Sequence, residues 1–342
     1  MEAIIFETHG DVNVLKLQEC PKPTPRSDEV VVKVSAVALN HLDVWVRRGW
    51  EGIKVSLPHI LGSDVAGTVD AVGSGVTDVS LAEEILVSPG LSCGHCQACL
   101  TGEDTLCLSY KILGEHVNGG YAQYLVVPRR NLVPKPANLS MNEAACLPLT
   151  YLTAWTMLLR RAQLRAGETV LIHAAGSGVG CAAIQIAKLL GATVIATAST
   201  DDKLERARSL GADQTINYAT TDFLKEVKML TQRKLVDVVF EHLGASTFEK
   251  SIACLKNGGR LVTCGATTGH EIKLDLRVLF YKQLSLLGST MGSKGDLFRI
   301  VELARQGKLK PVVDRALPLK RAAEGHRILE DRAQFGNVVL NP

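Results

Sequence analysis

The stretch Leu171 to Gly191, LIHAAGSGVGCAAIQIAKLLG, decides the fold. A short run from Thr169 to His173, rich in β-branched residues, reads as a strand and leads into a glycine-rich turn. Val179, Ala183, Ile186 and Leu190 then recur at spacings of four, three and four, which puts them on one face of a helix, and Gly191 supplies its C-terminal cap. Gly176, Gly178 and Gly180 lie between strand and helix. Missing side chains there permit a tight turn and let a pyrophosphate approach backbone N–H groups at the positive end of the helix. Strand, turn and helix in this order predict a nucleotide site at Gly176, Ser177, Gly178, Val179 and Gly180.

Working outward, strand-like runs recur at 193–197, 214–217, 236–240, 260–264 and 284–288, with helical patterns between most of them. Six strands at intervals of roughly 20 to 24 residues predict an α/β fold built on a doubly wound, six-stranded parallel sheet of Rossmann type. Leu204, Ala207 and Leu210 share a helix face before Gly211, and Phe248, Ile252 and Leu255 do so before Gly258 and Gly259. The first 150 residues have a different texture, with short strands and turns. Val30, Val32, Val34 and Ala36 alternate with Val31, Lys33 and Ser35, the pattern of a half-buried strand. The segment 289–342 carries two helices and two strands that do not extend the parallel pattern. Three segments are therefore expected: 1–150 as a β-rich domain, 151–288 as the nucleotide-binding domain, and 289–342 as a return to the first.

The 342 residues are 46% hydrophobic and 21% charged, with a formal net charge of +3 and no long run of one sign, which argues against nucleic acid and anionic membranes as partners. No apolar run approaches the roughly 18 residues that span a bilayer, and the N-terminal MEAIIFETHGDV has no secretory pattern, so a cytoplasmic protein is expected.

Of nine cysteines, four crowd into Cys93, Cys96, Cys99 and Cys107 with the spacing C-x2-C-x2-C-x7-C. Four thiolates so close can enclose one tetrahedral zinc ion with no open position, which makes the site structural. A ferredoxin-type cluster would want a shorter last gap and a following proline, and Leu108 follows Cys107. Four unligated thiols are the bland alternative, and His95 reads as a solvated loop residue.

Together these pieces resemble the zinc-type medium-chain dehydrogenase/reductase superfamily over essentially the whole chain. Leu61 to Gly67 (LGSDVAG), Gly119 to Tyr124 (GGYAQY), Leu152 to Trp155 (LTAW) and the closing FGNVVL carry the likeness further. It is closest to prokaryotic proteins described as NAD(P)-dependent alcohol dehydrogenases or quinone oxidoreductases. The resemblance implies a GroES-like catalytic domain beside the Rossmann domain, and commonly a homodimer or homotetramer paired through the sixth strand, Leu284 to Gly288. Where the family's alcohol dehydrogenases hold a catalytic zinc with two cysteines and a histidine-glutamate pair, this chain has Asn40, Ser63, Asp64 and Leu149, and Leu42 replaces the proton-relay hydroxyl. Quinone oxidoreductases, which need no zinc, resemble the chain at Asn40, Pro148 and Thr153. The expectation is a structural zinc without a catalytic one. SLAEE at Ser80 to Glu84 also replaces the family's proline-glycine-aspartate turn, at an expected local cost.

The tip of the second Rossmann strand reads Ala198, Ser199, Thr200, without the acid that repels a 2′-phosphate. Ser199, Lys203 and Tyr218 match the serine, lysine and tyrosine of the family's NADPH-dependent members, so NADP(H) is expected over NAD(H), with Thr153 near the nicotinamide. Other roles are open: Ser199 can cap the following helix and Tyr218 can pack at the sheet edge. Asn40 and His41 are the candidate donors to a substrate carbonyl, with Asp43 and Asp64 to orient them, although each can instead tie down its loop. Without a Lewis acid these residues suit quinones and enones, where hydride addition leaves an enolate, better than simple ketones, which become full alkoxides. The expected function is a zinc-independent NAD(P)H-dependent reductase of quinones or enones. An alcohol dehydrogenase and a non-catalytic nucleotide-binding redox sensor are the alternatives.

Overall fold

Val30, Val31 and Val32 are all fully buried on the strand Glu29–Ala38, so the expected alternation fails at Val31. Within its sheet the strand's register against Asp64–Val72 shifts between Val31 and Val32, a bulge that interrupts the period of two, and Lys33 beyond it is exposed as expected. This seven-stranded sheet runs Leu132–Pro134, Glu84–Val87, Asp64–Val72, Glu29–Ala38, Asn337–Asn341 and Val313–Pro318, with Tyr124–Pro128 also pairing with Glu29–Ala38. Residues from the far end of the sequence thus complete it, Val339 opposite Ala38 and Leu340 opposite Val37.

The computed structural model describes residues 1–50 and 55–342. Two units form: Met1–Leu152 with Gly292–Pro342, and Thr153–Met291. The second is the expected doubly wound sheet, all parallel, in the order Gln214–Asn217, Thr193–Ala198, Thr169–Ile172, Val236–Glu241, Leu255–Thr263, Ser285–Gly288. Order reverses beside Thr169–Ile172, where a phosphate-binding turn of this architecture belongs. Leu171, Ile195, Val239 and Leu261 from neighbouring strands meet Phe223, Phe248 and Ile252 in its core.

Helix Gly178–Leu189 ends before Gly191, which takes φ +77°, as a left-handed cap requires. Gly258 behaves otherwise. The helix Ala245–Cys254 passes directly into the strand Leu255–Thr263, and Gly258, at φ +73°, sits within that strand where its register against Val236–Glu241 shifts. No helix among the described residues is long and apolar enough to cross a membrane.

The SLAEE turn shows where its cost falls. Exposed Ala82 takes φ +64°, with its N–H donating to the Val69 carbonyl at 2.8 Å. An alanine Cβ disfavours this conformation and glycine tolerates it. Ala82→Gly should therefore raise stability by about 1 kcal/mol, read as a higher urea midpoint at unchanged slope.

Candidate functional site

The glycine turn is held together by Ser177, in extended conformation at the N-cap of Gly178–Leu189. Its hydroxyl accepts from the Gly180 N–H and donates to the Ala174 carbonyl, both at 2.9 Å. A Cβ at Gly180 would lie 2.4 Å from the Ala174 carbonyl oxygen, so only glycine lets helix and turn approach this closely. Ala174 itself sits at φ +47°.

Behind the turn lies a polar network that the sequence reading missed. The buried His173 ring meets the Thr197 and Ser251 hydroxyls at 3.1 and 2.9 Å, and burial holds its imidazole neutral, with the pKa lowered to about 4. His242 reaches the His173 carbonyl through Nε2 at 3.0 Å. Glu241, fully buried, accepts from the backbone N–H groups of His242 and Leu243 at 2.8 and 2.7 Å and from the Thr247 hydroxyl at 2.8 Å. His173 stands in the stretch read first, but its partners lie 24 and 78 residues away, beyond any local signal.

At the neighbouring strand tip, Ser199 is half-buried and does not cap the next helix. Thr200 does so, its hydroxyl accepting from the Lys203 N–H at 3.4 Å. The Tyr218 N–H donates to the Ala198 carbonyl at 3.1 Å, which brings Tyr218 beside the Ser199 backbone, and Lys203 lies in the first turn of the helix. Ser199, Lys203 and Tyr218 are therefore gathered at one end of the parallel sheet. Asp201, the nearest acid, accepts from the Asn217 side chain at 2.9 Å. Thr153 is buried on the helix Pro148–Trp155.

Cys93, Cys96, Cys99 and Cys107 converge so that all four sulfurs lie within 4.8 Å of one another. The separations of 3.8 Å for Cys93 and Cys99 and 3.5 Å for Cys96 and Cys99 approach the roughly 3.8 Å edge of a tetrahedron with zinc-sulfur bonds of about 2.3 Å. Backbone N–H groups of Gly94 and Cys96 point at the Cys99 and Cys93 sulfurs, as thiolates require. His95 turns its Nδ1 to the Cys93 carbonyl at 3.0 Å and stands apart from the quartet. Among the described residues this is the only group of three or more histidine, cysteine or acidic side chains placed to hold a metal.

Asn40, Asp43 and Asp64 form a second cluster, in the first unit. Asn40 caps the helix His41–Arg48, and the Asp43 carboxylate, one turn in, accepts from the Asn40 backbone N–H at 2.7 Å. Its other oxygen accepts from the Gly62 N–H at 3.0 Å. The Asn40 side-chain amide reaches one oxygen of Asp64 at 2.8 Å, and the Leu149 N–H reaches the other at 2.7 Å. All three residues are buried. Burial pushes Asp43 up to about 7 and Asp64 up to about 8, opposed at Asp43 by its hydrogen bonds and aided at Asp64 by the Asp43 charge. Ser63 spends its hydroxyl on the Leu113 carbonyl at 2.7 Å, and His59 meets the Gly114 carbonyl at 3.1 Å. His41 opens the helix with its ring 6.5 Å from that of Trp45. Glu115, with its carboxylate 3.8 Å from His116 Nδ1, is buried, which raises its pKa to about 7.

The cluster continues inward through residues that the sequence reading did not single out. Tyr121, next to Asp43, has its hydroxyl 3.2 Å from His326 Nε2. His326 Nδ1 lies 3.3 Å from the guanidinium of Arg47, which is fully buried and paired with Glu330. Tyr121 stands within GGYAQY, but 205 residues separate it from His326 and no spacing rule joins them.

Residues 26–137 match the alcohol dehydrogenase GroES-like domain family, and residues 178–306 match the zinc-binding dehydrogenase family. The chain is 34% identical to an NAD-dependent alcohol dehydrogenase of Sulfurisphaera tokodaii over 96% of each chain. It is also 30% identical to an acryloyl-coenzyme A reductase of the same organism over the full length of both. A crystal structure described as an NAD-dependent alcohol dehydrogenase superposes with a TM-score of 0.97 at 54% identity, covering both chains completely.

A zinc ion held by the cysteine quartet would be a folding partner of its lobe. Cys99→Ser should reduce bound zinc from about one per chain to near zero and lower the melting temperature. Elemental analysis of the purified protein checks the first and a thermal scan the second.

Proposed function

Because the chain belongs to the medium-chain dehydrogenase/reductase superfamily and is an NAD(P)-dependent enzyme of it, we propose that it reduces conjugated carbonyl compounds, enones or quinones, without a catalytic zinc. One observation carries this reading: the Asn40–Asp64 hydrogen bond occupies the place where the family's metal-dependent members gather their ligands. Of Asn40, Ser63, Asp64 and Leu149, only Asp64 is of a type that binds metals tightly, and both its oxygens already accept hydrogen bonds. The cysteine quartet fits a structural zinc, four thiolates leaving no position for substrate.

Bound nicotinamide supplies the hydride. The chain's own contribution is to hold the acceptor carbonyl and stabilise the charge that develops on it. The Asn40 amide is the donor for that oxygen, with His41 next to it in sequence. Asp43 fixes the Asn40 backbone, and Asp64 fixes its side chain. An amide donor held in a buried site stabilises an enolate, whose charge is spread over several atoms, more readily than a localised alkoxide. The likeness to an acryloyl-coenzyme A reductase supports a conjugated acceptor. The likeness to NAD-dependent alcohol dehydrogenases supports a second reading, oxidation of an alcohol.

For the cofactor we propose NADP(H) over NAD(H). Ser199 is not committed to capping, Tyr218 lies beside it, and no acid stands at Ala198.

The protein carrying one zinc per chain should reduce an enone or quinone panel, and Asn40→Ala should lower kcat/KM about 10²-fold with zinc unchanged. Two zinc ions per chain, or alcohol oxidation at higher kcat/KM than enone reduction, would replace this reading with the second. Separately, kcat/KM should be higher with NADPH than with NADH, and Ser199→Ala should narrow the ratio. A preference for NADH in the unsubstituted protein would overturn the cofactor assignment.

A further inference from the structure

A dinucleotide lies across the crevice where the order of a parallel sheet reverses, here between Thr169–Ile172 and Val236–Glu241. With its adenosine half on the side of Thr193–Ala198, where Ser199 and Tyr218 gather, its nicotinamide half falls over the loops that leave Val236–Glu241 and Leu255–Thr263. Glu241 closes the first of these strands and is fully buried. One carboxylate oxygen accepts from the backbone N–H groups of His242 and Leu243 at 2.8 and 2.7 Å, with the Gly244 N–H at 3.4 Å, and the other accepts from the Thr247 hydroxyl at 2.8 Å. Every one of these donors belongs to the loop that follows or to the first turn of the helix Ala245–Cys254.

The loop so gathered is bonded to the next one. The Thr268 N–H and hydroxyl both donate to the Leu243 carbonyl at 2.7 Å, and the same hydroxyl accepts from the Ser246 N–H at 3.1 Å. The Ala245 N–H reaches the Gly269 carbonyl at 3.1 Å. Gly244, at φ +91°, makes that approach possible, since a Cβ there would lie 2.4 Å from the Gly269 carbonyl oxygen. Toward the first strand, His242 Nε2 donates to the His173 carbonyl at 3.0 Å, which ties the same loop to the chain just before the glycine turn.

We infer that Glu241 is a positioning residue for the nicotinamide half of the cofactor. By collecting the N–H groups of residues 242–244 on one carboxylate, it fixes the backbone of 242–246 against 267–269, so that the ring arrives at a surface already ordered. Without the carboxylate those N–H groups lose their acceptor, the two loops loosen, and cofactor binding has to order them. A plain helix cap is the competing role, because Gly244 offers no side chain to cap Ala245–Cys254. A cap alone stabilises the helix and leaves the cofactor's two halves equally bound. The positioning role presupposes NAD(P) dependence with adenosine at the Ser199 side, and is indifferent to which of the two cofactors is preferred.

Calorimetry on the full chain gives dissociation constants for a whole cofactor and for its adenosine fragment: NADPH with adenosine 2′,5′-bisphosphate, or NADH with AMP where NADH is preferred. Glu241→Ala should weaken binding of the whole cofactor about tenfold and leave that of the fragment unchanged, which also shows that the sheet is folded. Glu241→Gln should bind both as the unsubstituted protein does, because its carbonyl oxygen still accepts from residues 242 and 243 and its NH2 group can donate to the Thr247 hydroxyl. Thr268→Val removes the hydroxyl bonds to Leu243 and Ser246 and leaves the backbone bond. It should show a smaller loss confined to the whole cofactor, so the outcome does not depend on Glu241→Ala folding. A lower melting temperature with both affinities unchanged makes Glu241 a helix cap only and overturns the assignment. Equal losses for cofactor and fragment, or a loss in Glu241→Gln as large as in Glu241→Ala, overturn it as well. Binding of neither cofactor by the unsubstituted protein would remove NAD(P) dependence and this role with it.

Discussion

Two carboxylates sealed from water within one hydrogen-bonded cluster set the terms for the first unit. A buried charge without compensation is costly by several kcal/mol, so the surrounding chain must supply donors or keep a proton in place. Here the donors come from distant segments: the backbone at Asn40, Gly62 and Leu149, and the Asn40 side-chain amide. The helix His41–Arg48 serves the same end twice. Its first turn presents Asp43 inward, and its last turn buries Arg47 against His326. Chemistry and local folding use the same bonds.

The second unit follows a different logic. Its strands are short and parallel, and the polar residues His173, Glu241 and His242 gather where strands meet loops. His242 and Glu241 satisfy backbone groups in the loops after the first and fourth strands, while the His173 ring ties the Thr197 and Ser251 hydroxyls, and together they stiffen the segment beside the glycine turn. A turn that must offer backbone N–H groups to a pyrophosphate cannot also relax, and these side chains hold it in shape.

What could be read from the sequence was local. The glycine turn, each of the six strands and the cysteine quartet can be read from a short run of neighbouring residues, and all three features stand in the structure. Residues that act through partners far along the chain were not legible. Tyr121 was visible within GGYAQY but without a function, and His326 was invisible, because its meaning arises only when the helix Ala322–Glu330 packs against the first unit's own core. Local rules also misread two positions. Gly258 was taken to end a helix and instead lies within a strand, and Val31 was assigned to an open face and is buried beside a bulge. Ser199 was left between capping and cofactor binding, and Thr200, one residue on, takes the cap.

The pairing of Asn337–Asn341 with Glu29–Ala38 has a consequence for how the protein is made. During synthesis the unit Thr153–Met291 is continuous and can close its parallel sheet while later codons are still being read. The earlier-made segment cannot finish. Its central sheet awaits a strand some 300 residues downstream, and Arg47 and Tyr121 await His326. Until then a β-rich edge and two buried-to-be carboxylates stay open to water, the state in which a nascent chain most needs protection from its neighbours. Order of birth and order of folding are therefore inverted: the strand Glu29–Ala38, made before the unit Thr153–Met291, belongs to a sheet that is completed after it.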